Sequence, residues 1–282
     1  DEPRMNLDES TQKKGAHMRE ELKNRFAIEE EGEGEEILLF LHGFASSKET
    51  WQWVKDSFRQ KYKLVFLDFA GCGASDHTAY DVKKYATLKG YVEDLLVILK
   101  AFDYKNVTIV GHSVGGLIGL LLSKAAEGRV KKVFMIGASP RYKNDIPGYF
   151  GGFTEEEIYQ VLDLMEENFS GWASYISRAA LPESEESAHT AFVEESFRAS
   201  HPKYTYHFLK VTLLLDHRSE LHHVPCEVII LQCAKDSFVP MEVAEYMHRQ
   251  IPGSTLHLLS ARGHYPHISH PEETAAAILK YL

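Results

Sequence analysis

The sequence predicts an α/β protein, a doubly wound and mostly parallel sheet with a helical segment inserted between two late strands. Three observations carry that expectation. Short apolar, β-branched runs alternate with stretches of helical periodicity over residues 37–137 and again over 228–282. The alternation lapses over residues 141–215, which are helical in pattern, acidic and rich in aromatics. Within the first alternating run, Gly111-His112-Ser113-Val114-Gly115 joins a strand-like run to a helix-like one.

Taken in order, Gly32-Glu33-Gly34 reads as a hairpin turn that leads from Arg25–Glu31 into the all-apolar strand Ile37–Leu41. His42-Gly43-Phe44 ends that strand, and Glu49–Gln60 is expected to be a helix. Leu64–Leu67 is the next buried strand, closed by Gly71-Cys72-Gly73. Tyr85–Phe102 places Leu88, Tyr91, Val92, Leu95, Leu96 and Leu99 at helical spacing. Val107–Val110, the helix after Ser113 and Val133–Gly137 continue the alternation. It resumes with the strand Val228–Gln232, the helix Met241–Gln250, the strand Thr255–Leu259 and the helix Glu272–Leu282. The core is therefore expected over residues 18–139 and 216–282, with residues 140–215 as a helical lid. Gly15-Ala16-His17-Met18 reads as a cloning scar, so residues 1–17 are expected to be a disordered tag or linker. The acidic Glu29–Glu36 stretch reads as a solvated hairpin.

Composition narrows the function classes. The 282 residues carry a net charge of −10, with 44% hydrophobic and 26% charged residues, an ordinary globular balance. A phosphate-binding basic face, and with it nucleic acid as a partner, is disfavoured. Cys72, Cys226 and Cys233 are too few and scattered for a disulfide framework or a zinc site, which makes a reducing cytoplasm the expected setting. No apolar run reaches the length of a membrane span, and the first 18 residues contain no signal-like apolar region.

A serine hydroxyl is a poor nucleophile until a base removes its proton and a carboxylate orients that base. In a doubly wound sheet such partners belong at the carboxyl ends of later strands. Asp236 follows the strand Val228–Gln232, and His264 follows Thr255–Leu259. The order Ser113, Asp236, His264 is that of a triad on an α/β-hydrolase sheet. The backbone N–H groups of Val114, at the start of a helix, and of Phe44 are the candidate oxyanion donors. His112 reads as a packed residue of the turn. His264, His267 and His270 are three apart, but Pro266 and Pro271 oppose a helix that would align them on a metal. Gly71-x-Gly73 lacks the third glycine of a dinucleotide loop, and Cys72 has no evident base. No metal or cofactor is implied. Phe150, Phe153, Trp172, Phe192 and Phe238 are the candidate lining of an apolar pocket beneath the lid.

Ala138-Ser-Pro-Arg-Tyr-Lys-Asn-Asp145, Tyr149-Phe-Gly-Gly-Phe153 and Gly111-His-Ser-Val-Gly115 resemble the RsbQ-type regulators of the bacterial general stress response. They also resemble the related strigolactone and karrikin receptor hydrolases of plants. Leu231-Gln-Cys-Ala234, Ala261-Arg-Gly-His264 and Ser269-His-Pro-Glu-Glu-Thr274 strengthen the RsbQ side. The resemblance runs from about Arg25 to Leu282 and implies an α/β-hydrolase fold with a four-helix, V-shaped lid over a hydrophobic pocket. It matches Ser113, His264 and Asp236 to the triad, and Phe44 and Val114 to the oxyanion donors. A small hydrophobic ligand and a PAS-domain phosphatase partner are implied with it. The expected activity is hydrolysis of a small ester or lactone in a signalling role. The alternative is a ligand receptor whose partner-binding surface matters more than its turnover.

Overall fold

The apolar runs of the sequence become strands, and their two-residue alternation divides the interior into two cores. In the computed structural model, which describes residues 3–182 and 187–282, α1 (Pro3–Phe26) leads into β1 (Glu29–Glu31), β2 (Glu36–Leu41) and β3 (Tyr62–Phe66). α2 (Lys89–Ala101), β4 (Val107–His112), α3 (Val114–Ala125) and β5 (Val130–Ile136) follow. Four helices come next: α4 (Glu155–Glu167), α5 (Phe169–Ala180), α6 (Ala188–Ala199) and α7 (Pro202–Leu214). β6 (Glu227–Lys235), α8 (Met241–Gln250), β7 (Thr255–Arg262), the single turn α9 (Pro266–Ser269) and α10 (Pro271–Tyr281) complete the order.

The strands form one seven-stranded sheet in the order β1-β3-β2-β4-β5-β6-β7. Every neighbouring pair is parallel except β1 with β3. Leu39, Val65, Ile109, Met135 and Ile230 belong to one core with α2, α3 and α8. Leu38, Phe40, Val110, Phe134 and Leu231 belong to the other, against Trp51, Phe58 and Ile278 of α10. Side chains on opposite faces of each strand thus serve different layers. α4 to α7 lie between the adjacent strands β5 and β6, so the insertion leaves the sheet's pairing intact.

Four local expectations are corrected. Gly32–Gly34 does not close a hairpin: β1 pairs antiparallel with β3, Glu29 opposite Phe66. Both edges of β2 are already taken by β3 and β4, so β1 can add only at the free edge of β3. Its carboxylates are used there, Glu29 with Lys48, Glu30 with Lys63, and Glu31 with Lys55 and Arg59. Glu49–Gln60 is not an α-helix but two 3-10 turns, Lys48–Trp51 and Lys55–Ser57. The buried residues Trp51, Val54 and Phe58 suit either geometry, and the backbone bonds here run three residues apart, as from Val54 N to Trp51 O. Tyr85–Phe102 is shorter as a helix, beginning at Lys89 after a 3-10 turn at Lys84–Ala86. The stretch 1–17 is not without order: α1 runs unbroken from Pro3. Buried Leu22 and Phe26 anchor its far end, and each residue added to an anchored helix gains a backbone bond. Among the described residues no helix is long and apolar enough to cross a membrane.

Candidate active site

Ser113 occupies the one-residue junction between β4 and α3 with φ 54° and ψ −126°, a conformation L-residues rarely adopt. The turn is tight because its glycines let backbones touch. A Cβ on Gly111 would lie 2.5 Å from the Gly116 Cα, and one on Gly115 would lie 2.3 Å from the His42 carbonyl. Ser113 N donates to the Ile136 carbonyl at 2.8 Å, which ties the junction to the end of β5.

The carboxyl ends of three strands supply a continuous line of hydrogen bonds. His264 Nε2 lies 3.0 Å from Ser113 Oγ, and His264 Nδ1 lies 2.8 Å from Asp236 Oδ2. An ionised carboxylate only accepts, so the Nδ1 proton is donated to Asp236 and Nε2 is left to accept from the serine. The other Asp236 oxygen accepts from the amides of Phe238 and Val239 at 2.9 and 3.1 Å. These bonds fix the carboxylate, whose side chain is 1% exposed. Gly137, at the end of β5, completes the fit, because a Cβ there would sit 3.1 Å from Asp236 Oδ2.

A cavity of about 440 Å³ opens above Ser113 and His264. Phe44, Tyr142, Phe153, Trp172, Phe197 and Phe238 are among the residues that enclose it. Phe44, from the loop after β2, packs against the insertion: its ring lies 5.8 Å from Trp172 and 5.9 Å from both Phe197 and Phe208. Offset and edge-on aromatic contacts of this kind hold the α5–α7 helices to the core loop.

Of the five expected lining residues, Phe153, Trp172 and Phe238 meet at the cavity. Phe150 and Phe192 do not. Phe150 is 43% exposed, and Phe192 packs edge-on against Trp53 at 5.1 Å. The insertion's composition does not state which helix faces turn inward. Tyr142 and Phe197 were not among the expected lining residues. Tyr142 is fully buried with its hydroxyl 3.4 Å from Ser113 Oγ, and burial pushes that hydroxyl's pKa up. The signal for it was its place just beyond β5, at the same sheet end as the serine.

The remaining candidates have other uses. Burial pushes the Cys72 thiol up, away from reactivity. His267 bonds Thr50 through Nε2 at 2.9 Å and His270 bonds Ser269 at 2.8 Å, so neither joins His264 at a common point. Among the described residues no three His, Cys, Asp or Glu side chains converge on a metal-sized site.

Residues 38–277 match the alpha/beta hydrolase family. The chain belongs to that family. As an alpha/beta hydrolase it is 34% identical over 251 residues to a strigolactone esterase from Pisum sativum, spanning 89% of this chain and 94% of that protein. It is 31% identical over 252 residues to a karrikin insensitive 2 receptor from Petunia hybrida, spanning 89% and 93%. A hydrolase from Oleispira antarctica superposes with a TM-score of 0.91 at 32% identity, covering 93% of this hydrolase and 96% of that chain. The chain is thus a hydrolytic enzyme related to the strigolactone and karrikin receptor hydrolases.

Proposed function

We propose that this hydrolase cleaves a small, apolar ester or lactone through Ser113, His264 and Asp236. The observation that carries the reading is the unbroken Ser113–His264–Asp236 line, at 3.0 and 2.8 Å, on the floor of an aromatic-lined cavity. Ser113 Oγ attacks the carbonyl carbon as its proton passes to His264 Nε2. The C–O π bond opens to an oxyanion, held by the N–H groups of Val114 and Phe44. Val114 is the first residue of α3, where the helix leaves its N–H without an internal partner. Such a donor is worth on the order of 3 kcal/mol in a site of this kind. Collapse of the intermediate breaks the ester C–O bond, and His264 returns its proton to the leaving oxygen. Water then attacks the acyl-serine, giving its proton to His264; collapse breaks the C–Oγ bond, His264 returns that proton to Ser113 Oγ, and the acid is released. Asp236 stays ionised throughout, holding the imidazole in one tautomer.

The cavity's size and aromatic lining favour a small apolar substrate over a polymer or a sugar. The RsbQ-type resemblance adds a signalling role, with a PAS-domain phosphatase as the protein partner. Some of the matched relatives are receptors by name, which favours ligand sensing as a second reading. Release of p-nitrophenol from a short-chain ester should vanish in Ser113→Ala, and undiminished activity in that variant would sink the nucleophile assignment. Retention of ligand-dependent partner capture by Ser113→Ala would favour the sensing reading.

A further inference from the structure

The turn histidine has a use beyond packing. His112 ends β4, sits beside the nucleophile and is among the residues that line the cavity. Its Nε2 lies 2.6 Å from the backbone carbonyl of His264. A carbonyl only accepts, so the His112 proton is on Nε2 and is donated to it. The other ring nitrogen, Nδ1, is buried without a partner, and a Cβ on Gly43 would lie 2.8 Å from it. One ring therefore borders three parts of the site: the serine's own turn, the loop that carries Phe44, and the main chain of His264.

We infer that His112 is a positioning residue, which fixes the catalytic base by hydrogen bonding that base's own carbonyl. This inference rests on the proposed roles of Ser113 and His264. His264 follows β7 and the positive-φ Gly263, where sheet pairing no longer holds the chain. Its amide donates to the Ala180 carbonyl of α5 at 2.8 Å, and its carbonyl accepts from His112. The peptide on either side of the imidazole is thus clamped, once by the helical insertion and once by the sheet. Ring contacts complete the fit, with His112 centroids 4.8 Å from His264, 4.7 Å from Tyr265 and 4.5 Å from His267. Burial holds His112 neutral, its pKa well below the ordinary histidine value, which preserves the single-donor form this bond requires. Loss of the donor would leave a buried carbonyl unpaired and free the loop to shift. Displacement of a base by about 1 Å costs on the order of 100-fold in rate.

The test compares His112→Phe, which keeps the ring and removes the donor, with His112→Gln, which returns a side-chain N–H at comparable reach. With p-nitrophenyl acetate, His112→Phe is expected to lower kcat about 10- to 100-fold. KM should stay within about twofold, because ground-state binding is not what is lost. His112→Gln should recover most of kcat. A folded His112→Phe with wild-type kcat overturns the inference, and so does a His112→Gln as slow as His112→Phe. Should His112→Phe fail to fold, the wild-type tautomer decides. Nitrogen-15 NMR showing Nε2–H supports the bond, and Nδ1–H overturns it. Ser113→Ala run in parallel separates the two readings: a silent Ser113→Ala beside a fully active His112→Phe removes only the positioning role, whereas an active Ser113→Ala removes both.

Discussion

At the residue scale the site depends on direction more than on proximity. Asp236 Oδ1 is committed to two backbone amides, which leaves Oδ2 as the sole oxygen aimed at His264. Asp236→Asn keeps the shape but offers an amide where a charged acceptor stood, so His264 would favour the tautomer that cannot take the serine's proton. Its kcat on a short-chain aryl ester should fall roughly 10⁴-fold with the fold retained, and a loss under tenfold would show that Asp236 does not hold the tautomer. That Ser113, Asp236 and His264 would meet was legible in sequence because each closely follows a strand, and strand ends in a parallel sheet share one edge. Phe150 and Phe192 were misplaced: Phe150 lies in the non-helical segment before α4, and the direction of Phe192 on α6 depends on which face its neighbours cover. Phe192 found Trp53 outside the cavity instead.

At the scale of elements, the insertion is fastened at its two roots. Arg141, just beyond β5, donates to Asp216 at 2.9 Å, and Arg218 bonds both Asp216 and Asp145, at 2.9 and 3.0 Å. The residues leaving the sheet and those returning to it are thereby held side by side. Bonded to both arginines, the Asp216 carboxyl is held well below the usual carboxylate range. Partly exposed pairs contribute little singly, but a four-member network fixes geometry. Arg218→Gln should therefore raise amide hydrogen exchange several-fold over residues 141–153 and leave β4 and β5 unchanged. Uniform exchange across these segments would show that the roots do not depend on Arg218. Strand order was only partly legible: alternation implied a parallel sheet, yet β1's placement on β3 depended on which edges were already filled. The 3-10 turns after β2 escaped notice because apolar spacings of three and four suit either helix.

The molecule as a whole buries three neutral imidazoles near its reactive edge. Desolvation lowers the pKa of His42, takes His112 well below its ordinary value, and brings His267 down to about 3. The unfolded chain binds protons on these rings near pH 6.5, whereas the folded chain does not. Stability is therefore full above about pH 6.5 and falls as the pH drops below it, for His267 down to about pH 3. At pH 5 His267 alone should cost about 2 kcal/mol. Urea midpoints should hold from pH 7.5 to about 6.5 and decline from there to pH 5, and a flat series would show that the rings are charged in the native state. The doubly wound class was legible from the alternation of strands and helices, and the sequence placed His112 in a packed turn, but the burial of His42 and His267 was not legible. Neither His42-Gly43 nor Pro266-His267 states in sequence that the imidazole leaves water.

The Ser113 turn and its base also differ in when the ribosome delivers them. Ser113 and His264 are separated by 151 positions. At ordinary elongation rates the strand and helix around Ser113 emerge roughly 8 to 30 s before His264, its proposed base. During that interval β4 and α3 can pair with their neighbours while Ser113 lacks both His264 and Asp236. Under the proposed mechanism, a nascent chain folded only that far should be chemically silent at Ser113, and reactivity should begin when β7 joins the edge of the sheet.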